Sequence, residues 1–286
     1  MKDNIHIILD SVSCVMETEL IKDSRIHLVR LVTAFGEEEW LDGDKTPEEL
    51  AALVEKYGVL PKTSQPPIGE LLELFSTIAS AGKKAIFITL DSGVSGTYQT
   101  ACMAAKQINE EIKENAIRVV DSRTAALPIT AMAKEVMAKI DAGCDDLDEL
   151  ENFAHSLVKR TRTFFTVNTL DYLSKGGRIG KASALIGGIL GIRPILSLDS
   201  EGKVIPVDKC RSRKKALQRV MDIVSDEKGI EAIYVCGALC QDDMDMVKAK
   251  MQERFPGIVC ESSGIGTVLM SHLGPGVLGL FSRVKE

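Results

Sequence analysis

One stretch of the chain, residues 85–109, limits the fold more than any other. An apolar run over residues 85–90 leads into a loop of glycines and serines, and a helix-compatible segment follows over residues 97–109. This order predicts a buried parallel strand, a connecting loop and a helix N-terminus. Free N–H groups at a helix start favour an anion, and glycines let a ligand approach the backbone. The loop therefore predicts an anion or carboxylate site, with Ser92 and Ser95 as hydroxyl donors and Gly93 and Gly96 as the glycines.

Two simpler interpretations of the same loop remain open. Loops of glycine and serine often only connect a strand to a helix, and Ser92 or Thr97 would then cap that helix. The loop does not fit the nucleophile elbow of hydrolases, G-x-S-x-G, because Thr97 stands where the last glycine is required.

Composition excludes several classes of protein. The net charge of −6 comes from 35 basic and 41 acidic residues, which is unfavourable for general nucleic-acid binding. The apolar runs are too short to span a bilayer, and the first residues predict a strand and not a signal peptide. The seven cysteines are scattered without a C-x-x-C pair, which is typical of reduced thiols. We therefore expect a cytoplasmic protein that binds no nucleic acid.

An Asp-Ser pair follows three of the predicted strands, at residues 10–11, 91–92 and 121–122. The carboxyl ends of parallel strands meet at one edge of an open sheet, and ligands bind there. The pairs therefore predict a polar rim at that edge. The alternative is that each pair only caps the helix that follows it.

The rest of the chain predicts alternating strands and helices. Residues 26–35 predict one strand, Thr46 to Glu49 form a capping box for a helix that ends near Tyr57, and residues 61–67 predict a rigid polar loop. Residues 199–202 predict the turn of a hairpin. A boundary near Arg160 divides the chain into domains of residues 1–160 and 161–286.

Other motifs are weaker. The four histidines lack metal-ligand spacing, so we expect no metal site, although His272 lies in a glycine-bounded loop where it can reach a ligand. Residues 274–279 match G-x-G-x-x-G without room for the required helix. Residues 180–183 lack the first glycine of a P-loop and the hydroxyl after its lysine, and the glycines at 187 and 191 favour close packing. A basic set either binds phosphate or carboxylate or is a solvated surface: Arg178, Arg193, Lys209, Arg211, Arg213, Lys214 and Lys215.

Taken together, these stretches resemble the DegV family, the bacterial fatty-acid-binding proteins also called FakB. The matching pieces occur in family order and span nearly the whole chain: Asp10-Ser11, PKTSQPPIGE, SGTYQTA, VVDSRTA, YLSKGGRIGKASALIGGILGIRPIL, the segment Lys209 to Arg211, and HLGPGVLG. Each piece alone is weak, but the joint set is highly specific. Leu273 departs from the family, in which threonine commonly follows this histidine.

The resemblance implies a two-domain α/β protein with a fatty acid held between the domains. The N-terminal domain would have three α/β/α layers around a parallel sheet, and the C-terminal domain two layers with a mixed sheet. The family's carboxylate ligands fall on Thr63, Ser95 and His272, with an apolar tunnel for the acyl chain. The supporting loop residues would be Ser64, Ser92, Gly93, Gly96, Thr97 and Gly274.

The resemblance also implies a carrier with a bound long-chain fatty acid and no other cofactor. A separate ATP-dependent fatty acid kinase would convert the acid to an acyl phosphate for phospholipid synthesis. Arg178 and Arg211 would lie near the entrance and meet phosphate, the kinase or, transiently, the membrane surface. Two other functions remain open: a hydrolase or phosphotransferase that uses Ser95 and His272, and a lipid-dependent regulatory protein. No third triad member or nucleotide motif supports the enzyme.

Overall fold

The computed structural model describes residues 4–186 and 191–286. Gly187, the first glycine of the predicted close-packing pair, lies outside the described residues. The strands are β1 (Ile5–Asp10), β2 (Ile26–Val29), β3 (Val32–Phe35), β4 (Glu38–Leu41), β5 (Lys62–Ser64), β6 (Lys84–Thr89), β7 (Ile117–Asp121), β8 (Thr161–Thr166), β9 (Arg193–Leu198), β10 (Val204–Cys210), β11 (Ile230–Gly237), β12 (Val259–Gly264) and β13 (Leu278–Val284).

The α-helices account for most of the remaining regular structure of the described residues, besides short 3₁₀ helices. They are α1 (Pro47–Tyr57), α2 (Ile68–Ser80), α3 (Thr97–Ile112), α4 (Leu127–Asp141), α5 (Leu147–Arg160), α6 (Asp171–Lys175), α7 (Arg213–Ser225), α8 (Gln241–Arg254) and α9 (Thr267–Leu273). The predicted capping box of α1 is present, because Thr46 accepts a hydrogen bond from the Glu49 N–H and Glu49 accepts one from the Thr46 N–H. No helix of the described residues is long and apolar enough to cross a membrane.

The chain divides into two compact units, and the first consists of residues 1–32 and 64–159. Its sheet has the order β2-β1-β6-β7, with all neighbours parallel. Ile8 and Phe87 pack against α2 and α3 in one buried cluster. Successive strand residues face opposite sides, and α4 contacts β1 and β6, so α4 covers the other face. This unit has the three α/β/α layers that the resemblance implied.

The second unit consists of Thr33–Thr63 and Arg160–Glu286. Its large sheet has the order β10-β9-β8-β13-β11-β12 and mixes parallel with antiparallel pairs. Helices α7 and α8 pack on one face of this sheet around Leu217, Val247 and Leu280, which forms two layers. The predicted hairpin joins β9 to β10, and its turn is closed by hydrogen bonds between Asp199 and Lys203.

The second unit also holds a small sheet that the sequence did not predict, with the order β4-β3-β5. The prediction of one strand over residues 26–35 was wrong, since β2 pairs with β1 and β3 lies between β4 and β5. The Leu31 N–H donates to the Ser11 hydroxyl at 3.2 Å, so a side chain replaces a strand partner at the break. The units therefore differ from two consecutive halves of the chain, because Thr33–Thr63 belongs to the second unit.

Candidate functional site

Buried aspartates organise the strand ends of the first unit. Asp10 Oδ2 accepts a hydrogen bond from the Leu90 N–H at 2.7 Å, although Leu90 follows a different strand. Asp121 Oδ1 accepts from the Ser92 N–H at 3.1 Å, and Asp91 Oδ1 accepts from the Gly93 N–H at 3.0 Å. Asp10 and Asp121 therefore tie the ends of β1 and β7 to the loop after β6, and Asp91 orders that loop from within.

Ser95 lies at the start of α3, in the loop that the sequence analysis singled out. Its Oγ accepts a hydrogen bond from the Thr97 N–H at 3.2 Å and lies 2.9 Å from Thr97 Oγ1. Gly96 occupies the N-cap position of α3, so neither Ser92 nor Thr97 fills it. If the Thr97 hydroxyl donates to Ser95, the Ser95 hydroxyl hydrogen is available to a ligand.

Gly96 lies against a neighbour that sequence reasoning did not select. A Cβ at this position would overlap the side-chain oxygen of Gln65. The amide nitrogen of Gln65 donates to the Thr100 hydroxyl in the first turn of α3. Gln65 therefore holds the residues after Ser64 against this turn. The sequence signal that could have identified Gln65 is its place in the PKTSQPP stretch.

In the second unit, the structure brings together two of the predicted carboxylate ligands. Thr63 is the middle residue of β5, His272 lies near the end of α9, and Thr63 Oγ1 is 2.7 Å from His272 Nε2. Both residues are partly buried. The contact joins residues 209 positions apart in the chain, so it is a product of the tertiary fold.

Glycines let the imidazole of His272 pack closely. A Cβ at Gly176 would lie 2.6 Å from His272 Nδ1. Gly274, which ends α9 at a φ of 77°, has no room for a Cβ because the ring of Tyr172 lies against it. Arg178 donates to the Gly176 carbonyl at 2.6 Å and so fixes the loop beside the ring.

The environment keeps His272 neutral. Burial, and secondarily the positive charge of Arg178, lowers the pKa of His272 from 6.5 to about 4. Nδ1 is buried and has no hydrogen-bond partner among the described residues. An unpaired buried N–H is rarer than an under-satisfied acceptor, so we assign the hydrogen to Nε2. His272 then donates to Thr63 Oγ1, and the Thr63 hydroxyl can donate outward to an anion.

The two predicted phosphate-facing arginines have different surroundings. Arg178 is partly buried beside Gly176, whereas Arg211 is exposed directly after β10. Lys209, Lys214 and Lys215 are exposed around Arg211. Two other members of the basic set have structural partners, since Arg213 pairs with Asp243 at 2.8 Å and Arg193 donates to the Asn168 carbonyl at 2.6 Å.

In the part of the chain that the structure describes, the two weak glycine motifs have the geometry of ordinary structural elements and not of nucleotide-binding loops. The segment Gly180–Leu185 is a short 3₁₀ helix, and a Cβ at Gly180 would lie 2.5 Å from the Val204 carbonyl oxygen. The G-x-G-x-x-G match at residues 274–279 leads into strand β13 and not into a helix. In residues 4–186 and 191–286, no group of three or more metal-ligating side chains is placed to hold an ion.

His272 predicts a pH dependence of stability in the ligand-free protein. Its folded-state pKa of about 4 lies below the 6.5 of the unfolded chain, so the unfolded chain binds more protons between these values. The stabilisation is complete above pH 6.5 and is lost as the pH falls towards 4, by on the order of 3 kcal/mol. Denaturant unfolding at a series of pH values should show this slope, and His272→Gln should reduce it. Burial also lowers the pKa of His27, so a residual slope remains in the variant. A His272 pKa of 6.5 or above by NMR titration would contradict the assignment.

Residues 4–285 match the model of a family described as "Uncharacterised protein, DegV family". A DegV domain-containing protein of Clostridium acetobutylicum is 33% identical over 282 residues, which cover 96% of each chain.

Solved structures give the same result. DegV of Bacillus subtilis, described as a fatty acid binding protein, superposes with a TM-score of 0.85 at 28% identity and covers 99% of both chains. A DegV family protein from Ruminococcus gnavus, solved with vaccenic acid, has a TM-score of 0.84 at 25% identity over 97% of this chain and 99% of that one. Because the family model spans nearly the whole chain and a curated relative is 33% identical over 96% of it, the chain belongs to the DegV family.

Proposed function

We propose that this protein binds a long-chain fatty acid and presents it to a separate ATP-dependent fatty acid kinase, which forms the acyl phosphate. The hydroxyls of Thr63 and Ser95 donate to the carboxylate, His272 orients the Thr63 hydroxyl through its Nε2–H, and an apolar tunnel takes the acyl chain. The observation that carries the proposal is the 2.7 Å contact between Thr63 and a partly buried, neutral His272. The fatty-acid binding of the family members from B. subtilis and R. gnavus supports it.

The chemistry of the residues suits a carboxylate. Thr63 receives a hydrogen bond from His272 in the assigned tautomer, so its own hydroxyl hydrogen points to a ligand that only accepts. A hydrogen bond to an ionised acceptor contributes more than a neutral one. Arg178 adds a positive charge close enough to lower the pKa of His272, and the same charge attracts an anion.

Carrier function is favoured over hydrolysis by the surroundings of the imidazole. In a catalytic triad, an acid accepts a hydrogen bond from the second ring nitrogen and orients the base. Here Nδ1 of His272 has no such partner among the described residues, and Nε2 already contacts Thr63. A pKa of about 4 also makes His272 a weak general base at neutral pH.

The first prediction of this proposal is that protein purified from a bacterial host contains fatty acid. Denaturing organic extraction followed by mass spectrometry should yield about one fatty acid per chain, because a buried carboxylate and acyl chain dissociate slowly. Repeated extraction without lipid, together with no uptake of added fatty acid, would overturn the proposal.

The second prediction concerns Ser95. Ser95→Ala removes one donor to a charged acceptor, so fatty-acid affinity should fall by about tenfold to a hundredfold. The melting temperature should stay near that of the wild type, because the Ser95 hydroxyl contacts only the start of α3 among the described bonds. The fatty acid methyl ester is the control ligand, and its weak binding should not change in the variant. Equal affinity of both proteins for the fatty acid would remove Ser95 from the site.

The third prediction separates binding from transfer. Arg211 is exposed, so Arg211→Ala should leave fatty-acid affinity unchanged and slow the kinase-dependent phosphorylation several-fold. Lys214→Ala removes the same charge from the same basic set and serves as the matched control. Arg178→Ala should affect binding as well, because Arg178 holds the Gly176 carbonyl beside His272. Equal phosphorylation rates of the Arg211 variant and the wild type would exclude Arg211 from the kinase contact.

A further inference from the structure

We propose that a buried polar cluster of Thr33, Trp40, Asp42 and Thr267 positions His272 on Thr63. These four residues lie at the first turn of α9 and on the small sheet, and none of them was selected from the sequence. They act as positioning residues, because they contact neither the His272 ring nor Thr63 in the described hydrogen bonds.

The Thr267 hydroxyl is the centre of the cluster. It lies 3.0 Å from Thr33 Oγ1, accepts from Trp40 Nε1 at 3.3 Å and lies 3.2 Å from Asp42 Oδ1. A carboxylate only accepts and an indole only donates, so Thr267 donates to Asp42 and accepts from Trp40. Its second lone pair then accepts from the Thr33 hydroxyl. The donor and both lone pairs of this hydroxyl are therefore used, which permits one orientation of the side chain.

Asp42 also fixes the backbone at the start of α9. Its Oδ1 accepts from the Val268 N–H at 3.2 Å, and a Cβ at Gly266 would lie 2.5 Å from the same oxygen. Asp42 and Thr267 are almost completely buried, with exposures of 1% and 0%. Leaving a buried polar group of this kind without its partner is unfavourable, so the cluster holds its geometry as a unit.

The small sheet contacts α9 at both ends of the helix. Trp40 of strand β4 and Asp42, which follows that strand, both contact Thr267. Thr63 of strand β5 contacts His272. Helix α9 has seven residues, which is too short to be stable alone. A slip of one residue along a helix moves each side chain by about 1.5 Å and 100°. Such a slip would break the 2.7 Å contact between Thr63 and His272, so the anchor at Thr267 determines that contact.

The test uses the imidazole of His272 as its reporter, in the ligand-free full chain. Thr267→Val removes the hydroxyl at constant shape, and Thr267→Ser retains it. In Thr267→Val, NMR titration should show that the pKa of His272 moves from about 4 towards 6.5 and that the signal of the Nε2–H tautomer is lost. Arg178 is the charged group near His272. Thr267→Ser should titrate as the wild type does.

Thr130→Val is the matched control for a general loss of stability. The Thr130 hydroxyl is completely buried and donates to the Ser13 carbonyl at 2.7 Å, within the first unit. This variant should lower the melting temperature by a similar amount and leave the His272 signals unchanged. If Thr267→Val does not fold, Trp40→Phe removes the indole donor with little change in shape and should shift His272 in the same direction by less. Wild-type His272 titration in a folded Thr267→Val or Trp40→Phe protein would overturn the proposal, as would equal shifts in Thr130→Val.

A second arm, which rests on the proposed function, measures fatty-acid affinity. Thr267→Val should bind a long-chain fatty acid about tenfold more weakly than the wild type, and Thr267→Ser should restore the affinity. Undiminished binding by Thr267→Val would overturn the role of the cluster in ligand recognition. If the wild type binds no fatty acid, the proposed function fails, and the NMR arm still decides whether the cluster positions His272.

Discussion

The hydrogen bond between Thr63 and His272 depends on two elements that cannot form independently. Strand β5 has three residues and helix α9 has seven, and each is too short to be stable in water by itself. Strand β3 pairs with β5, and the buried contacts of Thr267 hold α9. The imidazole is consequently packed tightly enough to remain neutral. It then donates to Thr63, and the Thr63 hydroxyl can donate its own hydrogen to a ligand.

The first unit orders its loops by different chemistry. Asp10, Asp91 and Asp121 use carboxylate oxygens to accept backbone N–H groups from the loops after the strands. Hydrogen bonds from backbone N–H groups to buried carboxylates are strong, and the hydroxyls of Ser11 and Ser122 add bonds to the Leu31 and Thr124 N–H groups. The Ser95 hydroxyl remains on the loop surface of α3, where its only described partners are in Thr97. Carboxylates thus hold the backbone at this edge of the sheet, where we propose that neutral hydroxyls donate to the ligand.

Some basic side chains of the second unit hydrogen-bond to neighbouring groups, and others are exposed to solvent. Arg193 and Arg213 hydrogen-bond to neighbouring groups, and Arg178 supports the loop next to His272. Arg211 and the exposed lysines around it form a solvent-facing basic group beside the start of α7. Exposed basic groups influence association rates with charged partners more than they influence the fold. This separation is why Arg211 and Arg178 have different roles in the proposed function.

The sequence by itself determined the family, the parallel core of the first unit, most long helices and the hairpin of β9 and β10. Those features have local signals: continuous apolar runs such as residues 85–90, the capping box at Thr46, and the turn at Asp199 to Gly202. The family resemblance also indicated Thr63 and His272 as ligands of one carboxylate, a role that stays a proposal. The tertiary structure alone decided that residues 26–35 form two strands in different sheets and that α9 is a helix. It also decided that Asp42, Trp40 and Thr33 gather around Thr267, because contacts between residues more than 200 positions apart leave no local pattern.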